Sequence, residues 1–360
     1  MLRKKIIAAL SAPFLVFAIS DSMYAQDSTV TEESAFKISG SVDAYYKYDF
    51  AKMPGNTFTS FTKTHNDFSL GMASVKFEHT GKKVSAVADL GFGPRAKEFS
   101  YTDDGITQAI KQLYINYSPT SWLKLSAGTW ATHCNWELVD AFSNRNYSMS
   151  YQFTIGPFSH TGLRADITSG KSAFMVGVSN ATDYRISPQG QINKKFFIAQ
   201  YAYAPNDNLK FYMNYVGGQA PDTSKSNFFN LIATAKVSDK FNIVYNGIYT
   251  GVKQWDGTKN LDDKAWWGSS LYLNFDPQPW FGLTLRGELF NDKNQLNVFS
   301  GAPVGGSIFA TTLSANFKKG GFIFIPEIRF DNGSENVFVD KNGAASKSMG
   351  NFLFAAIYSF

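Results

Sequence analysis

At 360 residues the chain is long enough for one large domain or two ordinary ones, and its formal net charge of +5 is too small to argue for nucleic acid or an acidic partner. Aromatics make up 16% of it, with 33 Phe, 18 Tyr and 7 Trp, yet the mean hydropathy is only −0.20. A chain this aromatic and still mildly hydrophilic fits strands with one apolar and one polar face, and does not fit a bundle of membrane-spanning helices.

Residues 1–25 have the form of a secretory leader. Arg3, Lys4 and Lys5 precede the apolar run Ile6 to Ile19, which Pro13 interrupts. Cleavage is expected after Ala25, with a cut after Ser20 as second choice. Removing this segment leaves a mature charge near +3. No cysteine directly follows the apolar run, so a lipid anchor is not expected, and no later stretch approaches the length of a spanning helix. Residues 26–34 form a short polar tail, and 35–360 are expected to form one transmembrane β-barrel.

From there on the dominant signal is period-2 alternation in segments separated by turn residues. Leu209-Lys210-Phe211-Tyr212-Met213-Asn214-Tyr215 puts Leu, Phe, Met and Tyr on one face, and Lys, Tyr and Asn on the other. The pattern predicts strands near 36–50, 66–80, 82–92, 107–118, 121–131, 159–168, 171–180, 195–204, 208–217, 227–238, 240–251, 264–276, 280–291, 308–318, 321–332 and 349–360. Their connections alternate. Tight turns such as Pro119-Thr120, Ser169-Gly170 and Lys319-Gly320 take turns with long loops near 51–65, 93–106, 132–158, 181–194, 218–226, 252–263, 292–307 and 333–348. Sixteen antiparallel strands with short periplasmic turns and long outer loops is the plan of a bacterial outer-membrane barrel.

Hydrocarbon offers no hydrogen bonds, so a spanning sheet has to close on itself, apolar outside and polar within. The last strand alternates in the same way, with Phe352, Phe354, Tyr358 and Phe360 on one face, and is expected to pair with the first. Its terminal Phe360 resembles the signal read by the barrel-insertion machinery. Tyr45, Tyr46 and Tyr48, Tyr114 and Tyr117, Trp122, Tyr201 and Tyr203, Trp266 and Trp267, and Trp280 are assigned to the interfacial aromatic girdles.

A barrel of this size leaves an aqueous lumen. The polar row places Lys37, Asp43, Lys47, Lys76, Glu78, Asp89, Lys124, Arg164, Asp166, Lys210, Lys236, Arg286, Glu288, Glu327 and Arg329 inside, with a slight cationic excess. The expected work is therefore passive diffusion of small hydrophilic solutes, with at most a mild anion preference. The third outer loop, 132–158, is the longest, at about 27 residues, and too rich in Trp, Tyr, Phe and Met to sit wholly in water. It is expected to fold into the lumen as a constriction, with an outside cap or a subunit contact as the alternative. Glu137, Asp140 and Arg145 would face a wall carrying Lys47, Lys76 or Arg329, with Arg164 and Arg286 as further lining charges.

Rival functions find less support in the residues. A barrel hydrolase would need a nucleophile beside His133 or His160; Asp140 or Ser143 could join them on paper, but no G-x-S-x-G element occurs. The same histidines lack further ligands at metal spacing, so neither metal nor cofactor is expected. Cys134, the sole cysteine, is a free thiol or an intermolecular link. A non-conducting adhesin or receptor barrel is the alternative function, although no plug domain precedes the first strand.

Several segments also carry a resemblance. Asn66 to Ala73, Asp89 to Arg95, Lys111 to Tyr114, Gly128 to His133, Asn144 to Tyr151 and Gly156 to Gly162 together resemble the bacterial outer-membrane family called putative beta-barrel porin-2. That resemblance implies a porin-like barrel of a Gram-negative outer membrane, and no substrate or catalytic residue. By analogy with general porins, sixteen strands imply a homotrimer.

Overall fold

The computed structural model describes residues 35–190, 193–255, 258–259 and 261–360, so the expected leader at 1–25 and tail at 26–34 lie outside the described residues. Alternating apolar and polar side chains give long strands, and the turn residues between them reverse the chain. In chain order these are β1 (Ala35–Asp49), β2 (Asp67–Thr80), β3 (Val84–Phe92), β4 (Ile110–Thr120), β5 (Leu123–Ala131), β6 (Ser159–Ser169), β7 (Ser172–Ser179) and β8 (Phe196–Asn206). There follow β9 (Leu209–Gln219), β10 (Lys225–Lys236), β11 (Phe241–Lys253), β12 (Lys264–Gln278), β13 (Phe281–Asp292), β14 (Gly306–Lys319) and β15 (Phe322–Gly333). A two-residue ribbon, β16 (Phe338–Val339) with β17 (Ala345–Ser346), decorates the last loop, and β18 (Ser348–Ser359) ends the chain.

Apart from that ribbon, every strand pairs antiparallel with its sequence neighbours, and β18 pairs with both β15 and β1. The result is a closed barrel of sixteen strands, which removes the open edges a sheet would otherwise present. Closure extends to the final residue: Phe360 and Gly40 exchange backbone hydrogen bonds, each of 3.0 Å. The expected strand order holds throughout, with boundaries shifted by a few residues. The fifth outer connection contracts to 220–224 because β9 and β10 run further than their alternation suggests.

The outward row is apolar. Leu70, Ile115, Leu163 and Phe309 are all more than half exposed, as residues meeting lipid would be. Rings touch around the outside: Tyr46 lies 4.9 Å from Phe68 and 5.2 Å from Phe354, and Phe281 lies 5.0 Å from Phe317. Three of the expected girdle aromatics are not there. Tyr45, Tyr114 and Trp266 share parity with the inward Lys47, Gln112 and Ser270, so they face the lumen, while Tyr46, Tyr48, Tyr117 and Trp267 face out. Clustering near a strand end placed them by height; parity decides the face.

Candidate functional site

The long connection 132–158 lies inside the barrel, and the wall residues that hold it come from strands far apart in sequence. After β5 it enters beside β8–β11, where inward amides form a continuous ladder. Gln200 donates to Asn214, Asn214 to Asn230 and Asn230 to Asn246, each at 2.7 Å, and Asn246 donates to the Gln152 side chain of the loop at 2.6 Å. Asn230 also accepts from the Asn135 backbone N–H at 3.1 Å. Ungrouped, these amides look like ordinary polar wall residues. The signal that finds them is an Asn or Gln at the same inward position of four successive strands.

The middle of the loop docks on β12–β15 as a bound peptide would. Glu327 accepts from the consecutive N–H groups of Tyr147 and Ser148, at 2.8 and 3.1 Å. Glu288 accepts from those of Tyr151 and Gln152, at 3.1 and 3.0 Å. Between them, Arg286 donates to the Ser148 carbonyl at 2.8 Å and Arg329 to the Met149 carbonyl at 2.7 Å. Ser150 accepts from the Phe153 N–H at 3.1 Å and so caps a single helical turn, α2 (Tyr151–Ile155). Gly268 leaves the room this needs: a Cβ there would lie 2.6 Å from the Gln152 side chain. On the far side, Asp43 sits over Gly71, where a Cβ would be 1.7 Å from Oδ2, and accepts from the Tyr147 hydroxyl.

Glu137, Asp140 and Arg145 are all tied to the wall, but to partners other than those expected. Glu137 pairs with Arg286, Asp140 with Lys111 at 2.6 Å, and Arg145 with both oxygens of Asp276, at 3.0 and 2.7 Å. Lys111 also reaches Asp89 at 3.0 Å, so one buried amine bridges two acids. Of the remaining expected charges, Arg329 stays at the loop through the Met149 carbonyl and the others lie elsewhere. Lys47 donates to the Thr62 carbonyl at 2.7 Å and to Thr57, serving the first outer loop. Lys76 pairs with Glu78 at 2.7 Å on its own strand, and Arg329 with its neighbour Asp331. Arg164 pairs with Asp166 and stacks over Trp130 at 4.9 Å. Lys111 escaped the sequence reading because a bulge opposite Asp89 and Leu90 turns it inward against the alternation of β4, and Asp276 because it was read as the start of a tight turn.

The loop's exit is held from outside by α1 (Pro94–Phe99), the turn that follows it, and residues 180–190 after β7. Asp183 accepts from the N–H groups of Phe158 and Ser159, at 2.7 and 2.8 Å, and from the Tyr101 hydroxyl at 2.9 Å. Burial pushes the Asp183 carboxyl up to about 6, against the pull of those hydrogen bonds. Arg185 pairs with Asp103 across the same junction.

The histidines do not assemble a catalytic or metal site. His133 and His160 lie with ring centroids 5.2 Å apart and the rings tilted by 43°, but His160 bonds Thr132 at 3.0 Å and His133 the Tyr215 carbonyl at 3.3 Å. Asp140 is occupied by Lys111. No cluster of three His, Cys, Asp or Glu suited to a metal occurs among the described residues. Cys134 is free and wholly buried, which leaves its sulfur no access to another chain.

Comparison with known proteins agrees with this architecture. The fold resembles the outer membrane channel DcaP of Acinetobacter baumannii (TM-score 0.63, 13% identity, 91% of this chain and 97% of that one). It also resembles an anion-selective porin from Comamonas acidovorans (0.61, 12%, 91% and 100%) and in-vitro folded OmpT of Vibrio cholerae (0.59, 10%, 93% and 100%). No curated protein sequence matches the chain. A family model described as putative beta-barrel porin-2, OmpL-like, matches residues 35–360. The chain therefore belongs to that family and is a porin-like β-barrel of the outer membrane.

Proposed function

We propose that the barrel is a passive channel for small hydrophilic solutes with a mild preference for anions, and that it performs no catalysis. The observation that carries this reading is the charge of the short-turn half of the lumen. Lys76, Lys124, Lys210, Lys236 and Lys318 face inward there, half-buried rather than packed, with Arg164 set deeper against Trp130, opposite the acids Glu78, Asp166 and Asp276. One of those acids is already neutralised by Arg145. Half-exposed charges meet high-dielectric water and are screened within about 10 Å at moderate salt, so the bias they impose is weak and salt-dependent. In this reading the buried ion pairs Glu137–Arg286 and Asp140–Lys111 set the loop's position, which in turn sets the narrowest section. One relative, OmpT, has been solved in a trimer form, and we extend a homotrimer to this chain as part of the proposal. The outward aromatic face would meet lipid, and Phe360 would be the residue the insertion machinery reads.

Planar-bilayer recording on purified, folded protein tests the reading. The expected result is discrete conductance steps with a reversal potential favouring chloride over potassium in a salt gradient. The second reading, a non-conducting binding or structural barrel, draws on the dry packing of the loop across mid-height, and an absence of both steps and solute flux would select it.

A further inference from the structure

Two spaces lie on either side of an aromatic cluster made by Phe61, Phe99, Phe153 and Phe158. On the long-loop side is a cleft of about 590 Å³, reaching from Tyr101 and Asp183 to Phe228, Thr250 and Trp266. On the other side is a more enclosed cavity of about 90 Å³, walled by Lys111, Gln112, Glu137, Leu138 and Asp140. Phe158 lines both spaces. Its ring packs 5.6 Å from Phe99 and 5.2 Å from Phe153, so this cluster is what parts them. From the cavity, the inward row of β4 continues through Gln112 and Tyr114 to Asn116, each half-buried, into the cationic short-turn half of the lumen. Elsewhere at mid-height the loop packs on the wall. The loop bonds directly to β12–β15, and Phe196, Ile198, Val216, Ile248 and Phe290 pack into one apolar cluster with Cys134 and Tyr151 of the loop.

We propose that solutes follow this side of the barrel, from the outer cleft past Phe158, through the small cavity, past the Lys111–Asp140 pair and into the cationic lumen, and that the Phe158 ring sets the bore. The proposal rests on the channel reading above. A cavity of about 90 Å³ has room for a few waters and small ions. A larger solute needs the ring to turn aside. The Phe158 backbone does not have to move for that: its N–H is held by Asp183 at 2.7 Å and its carbonyl by the Thr132 N–H at 2.9 Å. At the other end of the cavity, swinging Lys111 from Asp140 to Asp89 alone widens the passage while the amine keeps an acid partner.

The sole cysteine is buried, so in a Cys134→Ser background a single cysteine replacing the half-buried Leu138 probes the cavity. A small water-soluble methanethiosulfonate should modify Leu138→Cys at least tenfold faster when Phe158→Ala is added. Phe299→Ala removes an equally buried ring that lines neither space and should leave the rate unchanged. Heat-modifiable gel mobility checks that each variant is a closed barrel, and Phe158→Leu replaces Phe158→Ala under the same criterion if the latter does not fold. An unchanged modification rate in the folded variant overturns the route. Bilayer recording on the same proteins separates the two readings. Conductance that rises at least twofold with Phe158→Ala, and falls on modification of Leu138→Cys, supports both. Conductance that responds to neither change overturns the route and leaves the channel standing. Faster modification without any conductance, in wild type or variant, keeps the partition and removes the channel.

Discussion

The two sides of the lumen are built from the same inward polar pattern and end in opposite states. On β13–β15, Arg286, Glu288, Thr312, Ser314, Glu327 and Arg329 are no more than 2% exposed, because the loop covers them. On the short-turn half of β2–β5, Lys76, Glu78, Asn116 and Lys124 remain partly exposed to the lumen. The first set satisfies loop backbone groups that would be costly to bury unpaired; the second is solvated by water. A polar inward row therefore does not by itself identify a pore lining. In this barrel the covered half of the row is a docking site for the chain's own loop.

The sharpest way to break that comparison is to remove one cation from each side. Arg286→Ala leaves Glu137 buried without its partner, and should cost about 3–5 kcal/mol. Lys76→Met breaks a half-exposed pair with Glu78, and should cost no more than about 1 kcal/mol. Unfolding followed by heat-modifiable mobility measures both, and equal losses would mean that the two sides are not different environments.

A smaller effect is expected where the loop leaves the lumen. The Asp183 carboxyl sits at about 6 when folded, above the roughly 3.9 of an unfolded Asp. Folding therefore favours its protonated form. The stability it contributes is fully present below about pH 4 and is lost as pH rises through about 6, a swing of about 2–3 kcal/mol. Thermal unfolding of wild type should shift to higher temperature between pH 7.5 and pH 5 relative to Asp183→Asn. Parallel curves for the two proteins would show that burial at this junction is relieved by water.

The smallest expected effect concerns the open side alone. Reversing Lys76 and Lys210 to Glu should move the chloride-to-potassium permeability ratio about twofold or more towards cations, which is roughly 0.4 kcal/mol, and less at high salt. Lys47→Met, on a lysine already spent on Thr57 and Thr62, should leave the ratio unchanged in the folded protein. A larger shift from Lys47 than from the pair would place the conducting water against β1 instead.

How much of this was legible beforehand differs between strand and loop. Period-2 alternation over Leu209 to Tyr215 or Leu283 to Leu289 fixes both the strand and its two faces, because side-chain direction in a strand is a local property. The tight turns at Ser169-Gly170 and Lys319-Gly320 fix the pairing of their neighbours, and both glycines take positive φ. The aromatic content of 132–158 already argued against its lying wholly in water. Its partners were not legible. Glu327 lies 180 positions from the Tyr147 N–H it accepts, and no local pattern encodes such a contact.

The sequence by itself determined a closed sixteen-strand barrel, its inner and outer faces, and which loop is too apolar to sit wholly in water. Only the tertiary structure decided that Glu137 meets Arg286, that Lys111 bridges Asp89 and Asp140, and that part of the polar lining is spent on holding the loop. The physical reason is range. Alternation is set residue by residue through backbone geometry, whereas the loop's place depends on shear and closure of the whole ring, which bring strands from opposite ends of the chain to one height.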